Sequence, residues 1–181
     1  MLLLPVGVLW AEGPAPDFSQ LAGMVAGESG VAVEVVDGDT LLLESGTEIC
    51  LVGIQAPKLP LGRRGFVAWP LGEEAKQALE EMALGRELTL YYGGRKKDRY
   101  GRMRAHLVRD DGLWLQGALL AGGWARVYSF RDNRSLIDEM LAHEGAARLA
   151  VRGIWTLPYY AVRTPEEVVD ESAVVQTYGK A

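Results

Sequence analysis

The chain has 181 residues, a net charge of −5 and a pI of about 5.1. Apolar residues make up 49% and charged residues 24%, the balance of a soluble globular domain long enough to bury a real core. The acidity argues against general duplex binding, which a basic surface serves, and leaves room only for a local basic site; the single cysteine, Cys50, excludes an internal disulfide.

The N-terminus, MLLLPVGVLWAEGPAPDFS, carries an apolar run from Leu2 to Ala11. That run is too short to span a bilayer and suits the apolar core of an export signal, although a basic start is missing. Residues 1–29 are therefore read as a signal segment and linker. The expected location is the periplasm or the exterior, with no membrane attachment of the mature form; the cytoplasm is the alternative if the segment is not a signal.

From Gly30 the pattern becomes a β meander: Val31 to Val36, the turn Asp37-Gly38-Asp39, Thr40 to Leu43, the turn Ser45-Gly46, and Thr47 to Ile54. A loop rich in Pro and Gly spans 57–70 and contains Arg63 and Arg64. Gly72 to Leu84 has helical spacing, with Ala75, Leu79 and Met82 on one face, Glu73 and Glu74 in the first turn, and Gly85 as a stop. Arg86 to Tyr92 reads as a strand, RKKDRYGR as a basic loop, and Arg102 to Val108 as another strand. Leu113 to Ala121 reads as a helix, Trp124 to Tyr128 as a short extended piece, and Ser135 to Val151 as a long helix with Leu136, Met140, Ala147 and Val151 on one side. The domain is taken as 30–163, followed by an acidic tail, 164–181, or the start of a further segment. This order implies an α+β fold, and a five-stranded barrel interrupted by a helix after its third strand is the OB arrangement.

Six motifs, VVDGDT, GIQAPK, GEEAKQALEEM, KDRYGR, LLAGGWARV and RGIW, run in order from about Val31 to Trp155. In type, order and spacing the chain resembles the staphylococcal nuclease-like (thermonuclease) family. The resemblance implies a five-stranded OB barrel with three helices, and Ca²⁺-dependent cleavage of DNA and RNA. It also implies a site in which two aspartates and a backbone carbonyl hold the ion, a glutamate serves the attacking water, and two arginines grip the phosphate. Such a division suits the chemistry: Ca²⁺ takes hard oxygen ligands, and arginine forks neutralise the oxygens of a transferring phosphoryl group.

Carried over position by position, the first aspartate is Asp39 and an outer acid is Asp37. The carbonyl ligand is Ala56, the second arginine is Arg102, and the residues that bind the nucleotide's other phosphate and sugar are Arg99 and Tyr100. The remaining three positions depart from the pattern. Cys50 stands for the first arginine, Gln55 for the second aspartate and Lys58 for the glutamate. A lost general base costs about 10²–10⁴ in rate and a lost charge-stabilising donor about 10²–10³, so little of the mechanism is expected to survive. The expected function is a degenerate nuclease-like domain that binds single-stranded nucleic acid, or another nucleotide or phosphate ligand, without cutting it. In this reading Lys58 stands at the metal's place, paired with Asp39 and Asp37, and joins Arg102 in holding the phosphate. Ca²⁺ is expected only if the protein is active. An active phosphodiesterase with a rearranged site and a protein-interaction OB domain are the alternatives. No signal for oligomeric state is present.

Plainer readings accompany each feature. Asp-Gly-Asp is ordinary turn chemistry; Cys50 is expected as a small core residue with no activated thiol. The run 95–104 has six cations against one acid, which solvation alone would explain, yet Tyr100 among them offers a stacking face. Arg63 and Arg64 would enlarge the same patch if they lie near Lys58. Tyr128 and Phe130 either line a nucleotide pocket or cover the barrel end, and Trp114, Trp124 and Trp155 are read as core or core-edge. Neither His106 nor His143 has a partner at zinc-ligand spacing.

Overall fold

Alternating burial along the strands closes the sheet on itself. Leu41, Leu43, Ile49, Leu51, Leu88, Leu90, Ala105 and Leu107 all fall at 1% exposure or less, so every second residue of four strands fills one interior. The computed structural model describes residues 23–161; the apolar N-terminal run and the acidic tail lie outside them. In chain order the elements are β1 (Val25–Asp37), β2 (Thr40–Leu43), β3 (Glu48–Leu51), β4 (Ile54–Gln55), α1 (Gly72–Ala83), β5 (Glu87–Tyr92), β6 (Met103–Arg109), α2 (Leu115–Ala121), β7 (Arg126–Val127) and α3 (Ile137–Leu149), followed by two 3₁₀ turns.

The barrel order is β1-β2-β3-β6-β5. Strand β1 serves twice: its first half pairs with β5 and its second half with β2. Register shifts at Ala26/Ser29, Ala32/Glu34 and Val35/Asp37 bend it between the two, as bulges do at barrel corners. The parallel pairing of β3 with β6 closes the ring. This is the expected α+β OB barrel with three helices. None of the described helices is long and apolar enough to cross a membrane.

Helix α1 packs against β1 and α2, burying Ala75, Leu79 and Met82 as their spacing predicts. Gly85, at φ +71°, takes the left-handed position just past its end and donates its N–H to Ala32 of β1 at 2.9 Å, so the stop also stitches the helix to the barrel. The rings of His106 on β6, Trp114 just before α2 and His143 on α3 meet in series at steep angles, with centroids 5.7 and 5.9 Å apart.

Three boundaries differ from the sequence reading. Strand β1 starts at Val25, inside the stretch read as linker, because ladder pairing to Tyr92 and Tyr91 uses the backbone and asks nothing of apolar side chains. The third strand stops at Leu51, and the chain turns before Ile54–Gln55 pair with Arg126–Val127 in a separate two-stranded sheet. Helix α3 ends before Val151, which is 59% exposed with φ +51°; helical spacing no longer applies there. The third buried residue of α3 is Glu144, whose carboxylate accepts the Val127 N–H and pairs with Arg148.

Candidate functional site

The β1–β2 turn is built by its own residues. The Asp39 N–H donates to Asp37 Oδ1 at 3.1 Å, the side-chain turn that Asp favours. A Cβ on Gly38 would stand 2.7 Å from the Cβ of Ala56 and 2.9 Å from that of Ala75. Only glycine therefore lets the turn seat between the 56–58 segment and the start of α1. This packing leaves Asp37 and Asp39 at 4% and 2% exposure.

Lys58 enters that space. Its ammonium donates to Asp39 Oδ2 at 2.6 Å, Asp39 Oδ1 at 2.7 Å and Asp37 Oδ2 at 3.4 Å. Three oxygens match the three N–H donors of an ammonium, so none remains for an outside ligand. Asp39 also accepts the Ala56 N–H at 2.9 Å and the Thr40 hydroxyl at 3.2 Å. Burial, together with the charge of Asp37 beside it, pushes Asp39 up to about 6. Burial also opposes the charge of Asp37, but Lys58 and the hydrogen bonds from Asp39 and Thr40 hold it below the ordinary carboxylate value. Lys58 is likewise penalised by burial, and the two aspartates more than offset this, keeping it charged. In this arrangement the Lys58 donors are turned to the two aspartates, and it acts as their counter-ion.

The other substituted positions are equally occupied. Cys50 lies half-buried on β3, and burial pushes its thiol up to about 11, so it supplies neither a charge nor a thiolate. The Gln55 Oε1 accepts two hydrogen bonds from Arg126, at 2.6 and 3.1 Å, across the β4–β7 pair. Arg126 lies in the LLAGGWARV motif, but the motif reading assigned it no role at the site. These donors do not fit Ca²⁺. An ammonium sits on both carboxylates, the amide oxygen faces a guanidinium, and no three of His, Cys, Asp and Glu converge among the described residues.

The loop before β6 presents the opposite state. Asp98, the one acid of the basic run, is its hub. Its Oδ1 accepts the N–H groups of Tyr100 at 2.8 Å and Arg102 at 3.1 Å, and its Oδ2 accepts Arg102 Nε at 2.8 Å. Arg102 also lies 3.9 Å from Glu48. Tyr100 is 68% exposed, with the guanidinium of Arg99 at 4.7 Å from its ring centre and that of Arg102 at 5.6 Å. An open aromatic face flanked by two cations can stack a base and hold a phosphate.

Tyr128 and Phe130 follow β7 and pack edge to face, 5.0 Å apart and both about half exposed. Arg104 covers Phe130 at 5.4 Å. Arg63 does not extend the patch: its guanidinium donates to the Leu59 and Pro60 carbonyls and stacks on Phe66, all within its own loop.

Comparison with known proteins agrees with the fold. Residues 48–157 match the profile described as Staphylococcal nuclease homologue. The chain is 29% identical to Endonuclease YhcR of Bacillus subtilis over 81% of its own length and 12% of that protein. It is 30% identical to an uncharacterized endonuclease of Escherichia coli O157:H7 over 70% of the chain and 76% of that protein. With the Thermonuclease of Staphylococcus hyicus it shares 23% identity, over 68% and 73% of the two lengths. The chain spans between 12% and 60% of the length of its Bacillus relatives.

Proposed function

This chain belongs to the staphylococcal nuclease homologue family, and from that premise we propose that it is a nuclease-like domain that binds single-stranded nucleic acid, or another phosphate compound, with hydrolysis absent or strongly weakened. One observation carries the reading: the Lys58 ammonium lies within 2.7 Å of both Asp39 oxygens. A divalent ion at the same place would have to displace it, against two buried carboxylates that already have a partner. The glutamate position holds that lysine, so a carboxylate base is missing too.

Binding falls to the 95–102 loop. Asp98 fixes the Arg102 guanidinium by one of its edges, leaving further N–H donors for a phosphate oxygen. Arg99 and Tyr100 add charge and a stacking face beside it. The endonuclease names of the relatives favour a second reading, an active phosphodiesterase with a rearranged site. An interaction domain with a silent pocket is the third.

The test is incubation of labelled single-stranded DNA with wild type, Asp39→Ala, Arg102→Ala and a Cys50→Arg, Gln55→Asp, Lys58→Glu triple variant, with and without Ca²⁺ or Mn²⁺. The expected result is wild-type binding without cleavage, weakened by salt and about tenfold by Arg102→Ala, with cutting gained by the triple variant. Wild-type cleavage that Asp39→Ala abolishes would establish the phosphodiesterase instead. Absence of both binding and cleavage would favour the interaction domain.

A further inference from the structure

A cleft of about 650 Å³ opens on the barrel beside Arg102, away from the closed turn pocket. Its volume falls within the ~300–1,000 Å³ typical of small-molecule sites. Its lining carries cations and an aromatic ring, Lys96, Lys97, Arg102 and Tyr100, together with Glu28, Glu48 and Thr47, and Glu48 lies 3.9 Å from Arg102. Among the described residues neither Lys96 nor Lys97 has a carboxylate within ion-pair distance. The Lys96 ammonium rests 4.7 Å from the centre of the Tyr92 ring, which positions it without neutralising it. Lys96 and Lys97 are therefore free to take anions, where Lys58 is not. The carboxylates of Glu28 and Glu48 can accept from exocyclic amino groups of bases. Unpaired ammonium groups for a phosphate and acceptors for a base edge in one cleft suit a nucleotide.

We propose that this cleft is an additional nucleotide subsite, which extends a bound single strand from the Arg102–Tyr100 grip toward Lys96 and Lys97. The assignment rests on the reading of the domain as a single-strand binder. The phosphate of the next nucleotide lies on the two lysines, and its base lies toward Thr47 and Glu48. Length of strand, rather than the first phosphate alone, then sets affinity.

Calorimetry with thymidine 3′,5′-bisphosphate and fluorescence anisotropy with a labelled mixed-sequence hexanucleotide test this, on wild type, Lys96→Ala/Lys97→Ala and Thr47→Trp. The last variant fills the cleft without changing charge; circular dichroism checks its fold. Wild type is expected to bind the hexamer about tenfold or more tighter than the bisphosphate. Both variants are expected to lose most of that gain while the bisphosphate affinity stays within about twofold. The double lysine variant should also lower the salt slope by about 0.7, the share of one single-strand phosphate. Hexamer binding that survives Thr47→Trp overturns the assignment even if the lysines matter, since they would then act outside the cleft. Equal weakening of both ligands by the lysine variant overturns it as well. Failure of wild type to bind either ligand overturns the functional reading and the subsite together.

Discussion

The turn at 37–39 and the loop at 98–102 begin with the same device and end in opposite states. In each, an aspartate accepts the backbone N–H two residues on, Asp37 from Asp39 and Asp98 from Tyr100. The first turn is then buried by its packing against the 56–58 segment and α1, and its carboxylates are met by an internal ammonium. The second lies open, and Arg99 within it, with Arg95, Lys96 and Lys97 just before it, has no carboxylate within ion-pair distance among the described residues. The difference follows from desolvation. A buried charge must be paired where it sits, whereas water solvates an exposed one until a ligand arrives. The side that could have held a cation is closed, and the side that can hold an anion is open.

The sharpest way to break this contrast is to remove the internal cation. Lys58→Met leaves two buried carboxylates without their partner and should cost about 3–5 kcal/mol, read by urea unfolding. Millimolar Ca²⁺ should restore part of that loss and leave wild type unchanged; an unaltered midpoint would mean that the pair is not a structural counter-ion.

A smaller effect lies in the core behind the site. Burial holds His106 down to about 4, and its Nδ1 finds no partner among the described residues. A base whose folded value lies below its unfolded 6.5 takes up protons preferentially in the unfolded chain. Its neutral form thus costs nothing above pH 6.5, and stability is lost as pH falls from 6.5 to 4, by about 3 kcal/mol at ~1.4 kcal/mol per unit. Asp39 acts in the opposite direction. Raised to about 6, it lets the folded state hold a proton longer, a contribution present at low pH and lost as pH rises through that value. The difference between wild type and His106→Phe across this window isolates the histidine, and equal slopes would rule it out.

The finest distinction compares two exposed groups. Tyr100→Ala should change stability by less than about 0.5 kcal/mol while lowering single-strand affinity by the ~1–3 kcal/mol of a lost stacking face. Arg126→Ala removes the exposed Gln55 contact and the guanidinium over Trp69, and should leave both unfolding and binding within about 1 kcal/mol of wild type. A reversed pattern would move the binding surface from the loop to the β4–β7 edge.

Local chemistry was readable wherever it repeats along the chain. Strand alternation, the buried face of α1, the Gly85 stop and the Asp-Gly-Asp turn each depend on neighbours within a few positions, so spacing alone reveals them. The early start of β1 escaped because backbone pairing needs no apolar signature. The substituted positions themselves could be read off the motif order, but not what each would meet. Lys58 reaches an aspartate 19 positions earlier, and Gln55 meets an arginine 71 positions later. Those pairings arise only when the closed barrel brings the β1–β2 turn, the 55–58 segment and β7 together. Sequence determined the fold and the residues available for a site. Tertiary structure decided which charges are spent inside and which remain for a ligand, because neutralisation depends on distance and burial in space rather than on order along the chain.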